Sequence, residues 1–328
     1  MTDTDAAAPA TPDWDVVIVG GGPAGLSAAL NLVRARHRVL VVDGNRPRNA
    51  ATLIAHGFLT RDGVPPHELR RLAREELAAY PDVEVLQRHT VSAVRRLDAD
   101  APDAAVGARF AVDLAGPGAA ASVRTVSTRA VLAASGLRET LPALPSIRAY
   151  YGMSLFSCAA CDGWELRDQP LALIGESDDL FARALLVSRW SSSVTVFTNG
   201  VATIDESDAA ALAARGIRVD RRPIADLDGD RGTLSAVRLA DGEVVPVTAG
   251  FVRPLWHPAV EYLDGLGLDT DGDGHLLTDG SGRTNAAGVY AAGDVAAPGP
   301  QQLIVAAGAG ARVAAVITHD LLGVTTAH

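Results

Sequence analysis

The cysteines are the residues whose type and spacing most directly indicate chemistry. The chain has two cysteines in 328 residues, Cys158 and Cys161, and they stand three positions apart. Two thiols at this spacing can form a disulfide within one turn of chain, and the dipole at a helix start stabilises a thiolate. Because thiolates are the nucleophiles of disulfide exchange, we interpret the pair as a redox-active dithiol.

Two other interpretations fit the pair less well. A structural zinc site needs four ligands, and the sequence offers no second cysteine pair or histidine cluster to complete one. A pair of buried small residues without chemistry is disfavoured by Asp162, which follows at once and whose carboxyl group can move protons. The sequence therefore predicts no metal site.

Length, composition and charge narrow the class of protein. A chain of this length indicates two domains, and 48% hydrophobic with 21% charged residues is typical of a soluble globular protein. A net charge of −10 disfavours nucleic acid and anionic membrane as partners. The sequence contains no run of eighteen apolar residues, so no membrane span is predicted. All 29 basic residues are arginine, which excludes Walker-type phosphate binding and Schiff-base chemistry. Residues 1–13 resemble a disordered tail and not a signal peptide, so a cytoplasmic location is predicted.

A glycine-rich turn between a strand and a helix indicates a dinucleotide site. The apolar run Trp14–Val19 leads into Gly20-Gly21-Gly22-Pro23-Ala24-Gly25, and a helical pattern follows. Glycines at these positions let the backbone approach a pyrophosphate at the helix N-terminus. The next strand ends in Asp43, 18 positions beyond Gly25, where a carboxylate can bind the ribose hydroxyls of an adenosine. The alternative is a purely structural glycine turn.

Later segments predict a second unit and a return to the first. Pro142 and Pro145 mark a domain crossing, and residues 146–250 contain another strand, turn, helix and strand, whose turn has lost two of the three fingerprint glycines. Near the C-terminus a strand ends in Gly293-Asp294, where the carboxylate could hold a polyol chain or cap a helix. His56, in a polar loop, could lie near a ring system or be an ordinary loop histidine.

The motifs occur in the order seen in a known flavoprotein family. The stretches Gly20–Gly25, Ala134–Gly136, Cys158–Gly163 and Gly293-Asp294 resemble low-molecular-weight thioredoxin reductases, and the likeness runs from residue 14 to 321. The resemblance implies an α/β fold of two Rossmann-like domains, with a discontinuous FAD-binding domain (14–143 and 251–328) and an inserted CxxC domain (144–250). It also implies FAD as cofactor and a homodimer.

The resemblance implies a role for each motif residue. Cys161 would face the flavin, Cys158 would exchange with substrate, and Asp162 would act as acid and base. Asp294 would hold the ribityl chain. The residues implied to contact FAD are Gly20, Gly22, Pro23, Ala24, Gly25, Asp43, Arg48, Asn49, His56, Val91, Ser135, Gly136, Gly293, Asp294 and Gln302.

The inserted domain departs from the reductases where NADPH would bind. Glu176, Asp178 and Asp179 occupy the turn where a pyrophosphate would lie, and they would repel it. No arginine occurs between Arg189 and Arg215 to bind a 2′-phosphate. With the stretches Arg-Pro-Arg-Asn and His-Gly-Phe-Leu-Thr, this pattern is similar to the dithiol oxidases that close the disulfides of gliotoxin-, holomycin- and romidepsin-type natural products.

The predicted function is therefore an FAD-dependent dithiol oxidase. It would take electrons from a small-molecule dithiol through the CxxC pair and FAD to O2, giving H2O2 and a disulfide. One alternative is an NADPH- or ferredoxin-dependent disulfide reductase, with thioredoxin as partner. Another is a flavoprotein that binds or senses a dithiol without turnover.

Overall fold

The structure, a computed structural model, describes residues 11–98, 107–118, 123–296 and 299–324. These residues form two compact units: the sheet of the first has both parallel and antiparallel strands, and the second is built on a parallel sheet. The first unit contains the described residues of 1–48, 67–138 and 257–328, and the second contains residues 49–66 and 139–256.

The strands in chain order are β1 (Trp14–Val19), β2 (Val39–Asp43), β3 (Val83–Gln87), β4 (Thr90–Arg96), β5 (Phe110–Ala115), β6 (Val123–Ala133), β7 (Leu137–Thr140), β8 (Leu155–Phe156), β9 (Leu171–Gly175), β10 (Val194–Phe197), β11 (Arg218–Asp220), β12 (Ile224–Asp230), β13 (Thr233–Leu239), β14 (Val244–Pro246), β15 (Ala249–Arg253), β16 (Leu255–Pro258) and β17 (Val289–Ala291). The α-helices are α1 (Pro23–Arg34), α2 (Pro66–Leu77), α3 (Ile147–Tyr150), α4 (Ala159–Asp162), α5 (Leu180–Val187), α6 (Glu206–Ala213) and α7 (Leu303–Leu322).

The sheet of the first unit has the strand order β3-β2-β1-β6-β5-β4, with β17 beside β6. Strands β1 and β2 are runs of buried valine, isoleucine and leucine, as expected for parallel strands covered on both faces. The sequence predicts a strand at 123–126 and a separate buried strand over 130–136 that ends in a small-residue turn, whereas the structure has the single strand β6. Its first half pairs antiparallel with β5, and its second half pairs parallel with β1 and with β17, so one strand has three neighbours.

Helix α7 packs on α1 in the core of the first unit. The backbones approach so closely that a side chain at Gly310 would collide with the carbonyl of Ala24. Among the described residues, α7 is the one helix long and apolar enough to cross a membrane by length and composition alone. Its buried stripe, which includes Val313, Ala314 and Ile317, belongs to the core cluster that also contains the buried residues of α1.

The second unit is built on the all-parallel sheet β11-β10-β9-β15-β8. Between β11 and β15 the chain forms a separate antiparallel sheet, β12-β13-β14. The segment 49–66 also lies in this unit, where Ala51 packs against Gly152. Within the segment, Ala55 bridges to Val64. The predicted limits placed 49–66 in the FAD domain and put the crossings at 143/144 and 250/251. In the structure the units divide at 138/139 and 256/257 instead.

Candidate functional site

The two cysteines form a disulfide in the second unit. Cys158 and Cys161 have their Cα atoms 5.3 Å apart, and both residues are half-buried. Cys158 is the N-cap residue of α4, and its carbonyl accepts hydrogen bonds from the amides of Cys161 and Asp162 at 3.2 and 3.1 Å. The predicted helix start is therefore present, but α4 is a single turn, so its dipole is weaker than that of a long helix.

Close packing fixes α4 in place. Ala159 is buried in a core cluster of the second unit with Leu166. A side chain at Gly163 would come within 2.6 Å of the indole of Trp190, so the chain leaves the helix flat against that ring. The redox pair is thus held on a packed turn and not on a free loop.

Asp162, the residue after the second cysteine, has an unusual proton affinity. Burial raises its pKa from the ordinary 3.8 to about 7, the positive charge of His56 opposes this rise, and the negative charge of Glu165 adds to it. A carboxyl group with this pKa exists in both forms at neutral pH. It can therefore accept a proton from a thiol and return it, which is the acid and base role predicted for it.

His56 lies beside the redox turn. Its Nδ1 is 3.5 Å from Oδ1 of Asp62, and its Nε2 is 3.6 Å from Oε1 of Glu165. The amide of Gly57 donates to Asp62 at 2.7 Å, and this hydrogen bond lowers the pKa of that carboxyl. The cofactor contact of His56 stays a prediction, and the structure places this histidine among the charged neighbours of Asp162. Glu165 was not among the predicted site residues, although its position three residues after Asp162 is a spacing at which side chains can meet.

The glycine-rich turn of the first unit forms an open cradle. Gly20 has φ of +115°, and a side chain there would collide with the carbonyl of Ala134. Gly22 is the N-cap residue of α1, and the space where its Cβ would stand is open. Pro23 follows at the first turn, where its missing amide hydrogen costs nothing. Gly25 packs on the carbonyl of Gly20, so the turn is tight and its outer face is free for a pyrophosphate.

Asp43, at the end of β2, carries an unsatisfied acceptor. Its Oδ1 accepts a hydrogen bond from the amide of Asn45 at 2.8 Å, while its Oδ2 is buried and has no hydrogen-bond partner. A buried carboxylate oxygen without a partner is costly, and a ribose hydroxyl would satisfy it. The cradle and this oxygen therefore fit the adenosine diphosphate half of FAD.

Asp294 lies next to the cradle within the first unit. Gly293, with φ of +77°, turns the chain so closely past α1 that a Cβ there would be 2.9 Å from the Cβ of Ala24. The carboxylate of Asp294 accepts a hydrogen bond from Arg48 at 2.9 Å, so two residues predicted to contact FAD are paired with each other. Arg48 thus orients the carboxylate and balances its charge.

The other predicted contact residues lie in several places. The Ser135 hydroxyl donates to the carbonyl of Ala259 at 2.7 Å, and Gly136 accepts from the amide of the same residue at 3.1 Å. Val91 is buried in β4, Gln302 is the N-cap residue of α7, and Asn49 begins the segment that lies in the second unit. Within the described ranges no group of three or more histidine, cysteine or acidic residues could hold a metal ion.

The loop after β9 is held together by its own acidic residues. Glu176 accepts a hydrogen bond from the side-chain amide of Asn199 at 2.7 Å, and Asn199 in turn accepts from the amide of Ile224 at 2.7 Å. Asp179 is paired with arginines. The acids predicted to repel a pyrophosphate are therefore present in the turn, and two of them also have internal partners.

Comparison with known proteins places the chain in a family. Residues 14–310 match the family model described as pyridine nucleotide-disulphide oxidoreductase. The chain is 32% identical to a thioredoxin reductase of Streptomyces coelicolor over 92% of this chain and 91% of that protein. It is 30% identical to thioredoxin reductase tcpT of Claviceps purpurea, over 85% of this chain and 86% of that protein.

Solved structures agree with these sequence matches. The crystal structure of HlmI has a TM-score of 0.86 and 36% identity, covering 96% of this chain and 95% of that one. A putative thioredoxin reductase of Bacillus anthracis has a TM-score of 0.84 and 33% identity, covering 94% of this chain and 99% of that one. The predicted α/β fold of the thioredoxin-reductase type is confirmed, and so is the predicted family. The chain belongs to the pyridine nucleotide-disulphide oxidoreductases and is a redox enzyme of the thioredoxin-reductase-like kind.

Proposed function

We propose that this chain is an FAD-dependent dithiol oxidase that closes an intramolecular disulfide in a small molecule, with O2 as acceptor and H2O2 as product. The observation that carries the choice of an oxidase is the acidic loop after β9. Glu176, Asp178 and Asp179 stand where a reductase would bind the pyrophosphate of NADPH. A chain that keeps the CxxC pair but repels the phosphates of NADPH needs another electron donor. A dithiol can be that donor, because it can reduce the cysteine disulfide by exchange.

FAD is the proposed cofactor. Gly20, Gly22 and Gly25 would leave room for its pyrophosphate, Asp43 would accept from the ribose hydroxyls, and Asp294 would hold the ribityl chain. When bound, FAD supplies a two-electron acceptor that returns the cysteines to the disulfide and passes the electrons to O2.

The cysteines perform the thiol chemistry. A substrate thiolate attacks the sulfur of Cys158, the Cys158–Cys161 bond breaks, and Cys161 leaves as a thiolate. The second substrate thiol then attacks the mixed disulfide, which releases the oxidised substrate and the Cys158 thiol. The substrate loses two electrons and two protons, and Asp162 takes up a proton from an attacking thiol because its pKa of about 7 suits that transfer. The assignment of Cys158 as the attacked cysteine is part of the proposal.

Oxygen uptake during turnover tests the proposal. Excess dithiothreitol, a probe dithiol, should drive continuous oxygen uptake by the FAD-loaded protein, with one H2O2 formed for each disulfide. A protein lacking both cysteines is the control and should show only the background rate. A single burst without turnover would contradict the oxidase and would favour a dithiol binder.

A disulfide reductase is the second candidate, because the S. coelicolor relative named as a thioredoxin reductase matches over nearly the whole chain. Such an enzyme would carry electrons in the opposite direction, from NADPH or ferredoxin to thioredoxin. Reduction of a thioredoxin disulfide at the expense of NADPH, without oxygen uptake from dithiothreitol, would select it.

A further inference from the structure

Asp179 holds two arginines that come from different elements of the second unit. Its Oδ2 accepts hydrogen bonds from Nε of Arg183, on α5, at 2.6 Å and from Nε of Arg253, at the end of β15, at 3.0 Å. Its Oδ1 accepts from the hydroxyl of Ser177 at 2.6 Å. Both guanidinium groups also lie over the indole of Trp256, at 5.6 and 4.2 Å from the ring centroid. The carboxylate is therefore the centre of a cluster in which the arginines are held from two sides.

The carboxylate does not serve the helix that it precedes. Asp179 is the N-cap residue of α5, a position where an aspartate side chain usually accepts from the helix amides, yet it makes no such hydrogen bond. Burial would raise its pKa, but the hydrogen bonds from Ser177 and Arg183 and the charges of both arginines lower it below the ordinary value. Asp179 is thus an anion at neutral pH, and it faces the arginines.

We propose that Asp179 is a specificity-determining residue, whose carboxylate occupies the place that a phosphate would take between Arg183 and Arg253. The proposal rests on the proposed function, because it explains how this chain avoids NADPH as a donor. Guanidinium groups bind carboxylate and phosphate oxygens in the same way, so the two anions compete for the same donors. Asp179 is part of the chain, so it is always present at the arginines, whereas a dinucleotide must displace it.

The net charge of the loop acids and the two arginines also opposes the binding of a further anion. Arg183 and Arg253 contribute +2, and Glu176, Asp178 and Asp179 contribute −3, so the five side chains sum to −1. Replacing either Asp178 or Asp179 with asparagine brings this sum to zero. The change at Asp179, however, also removes the carboxylate with which both arginines are paired. The two variants therefore separate the pairing from the overall charge.

Titration calorimetry with inorganic pyrophosphate, and separately with NADPH, tests the inference on the FAD-loaded protein. Asp179→Asn should bind pyrophosphate at least about tenfold more tightly than the wild type, as expected when one more charge-assisted hydrogen bond can form with the ligand. Asp178→Asn, the matched control, should change the affinity much less. Adding Arg253→Gln to Asp179→Asn should remove the increase in affinity. Asp179→Ser, which keeps a residue favoured at an N-cap, provides the same test if the asparagine variant does not fold.

Three outcomes would overturn the inference. One is an unchanged pyrophosphate affinity in folded Asp179→Asn or Asp179→Ser, with folding checked by thermal unfolding. Another is an equal increase in Asp178→Asn, which would mean that charge alone acts. The third is an increase that survives Arg253→Gln. These results are independent of the donor used by the wild type, so reduction of the wild type by NADPH would refute the proposed function without deciding this test.

Discussion

Replacing Asp162 with asparagine should remove a pH dependence from the stability of the folded protein. The pKa of Asp162 is about 7 in the folded chain, against 3.8 ordinarily, which is the value expected after unfolding. Between these values the folded state keeps a proton that the unfolded state has released. The stabilising contribution is therefore complete below pH 3.8 and is lost as the pH rises to 7.

The size of the effect follows from the two pKa values. Each pH unit in this window changes the free energy of unfolding by at most about 1.4 kcal/mol, so the step from pH 5 to pH 7 is worth at most about 3 kcal/mol. Because Asp162 is only half-buried, solvent screening should reduce this to about 1 to 2 kcal/mol. Above pH 7 both states are ionised and the slope should vanish.

Urea unfolding at pH 5 and pH 8, with the disulfide intact, measures the effect. Between pH 5 and pH 8 the free energy of unfolding of Asp162→Asn, relative to that of the wild type, should rise by about 1 to 2 kcal/mol. Asp168→Asn is the matched control, because Asp168 is an exposed acid six positions further on. It should follow the wild type at both pH values. If the wild type and Asp162→Asn lost the same stability between pH 5 and pH 8, the raised pKa of Asp162 would be refuted.

The cradle and the cysteines give two further predictions. Gly22→Leu should abolish FAD retention, because the open space at its Cβ position is the space proposed for the pyrophosphate. Absorbance of the purified protein reports this, with Gly280→Leu as control since Gly280 also faces open space. Normal flavin content in a folded Gly22→Leu would remove the cradle from the proposal. Cys158→Ser and Cys161→Ser should each retain flavin but lose dithiol-driven oxygen uptake in an oxygen electrode, and wild-type uptake in either would exclude the pair from the mechanism.

Features that depend on neighbouring residues were predictable from the sequence. Strand β1 begins and ends where its apolar run does, and the turn Gly20–Gly25 opens α1 as the fingerprint requires. Asp43 ends β2 as predicted and is left with a buried, unpaired oxygen. Local spacing was sufficient here because each of these features depends on contacts within one strand, turn and helix.

Features that depend on distant parts of the chain were not predictable. Nothing in the polar loop around His56 indicates that it will lie beside Glu165, which is 109 positions away. The pairing of Asp179 with Arg253 joins residues 74 positions apart, and periodicity carries no signal for it. The acids of the loop were expected to act only by repulsion, and the structure shows that Asp179 also engages the arginines. Such pairings are set by tertiary packing.

The central claim is that electrons enter from a dithiol and not from NADPH. Anaerobic rapid mixing of the FAD-loaded protein with NADPH, and in parallel with dithiothreitol at the same concentration, tests it most directly. The claim predicts that the visible flavin absorbance is lost with dithiothreitol and persists with NADPH. Rapid loss of that absorbance with micromolar NADPH would contradict it and would make the protein a reductase.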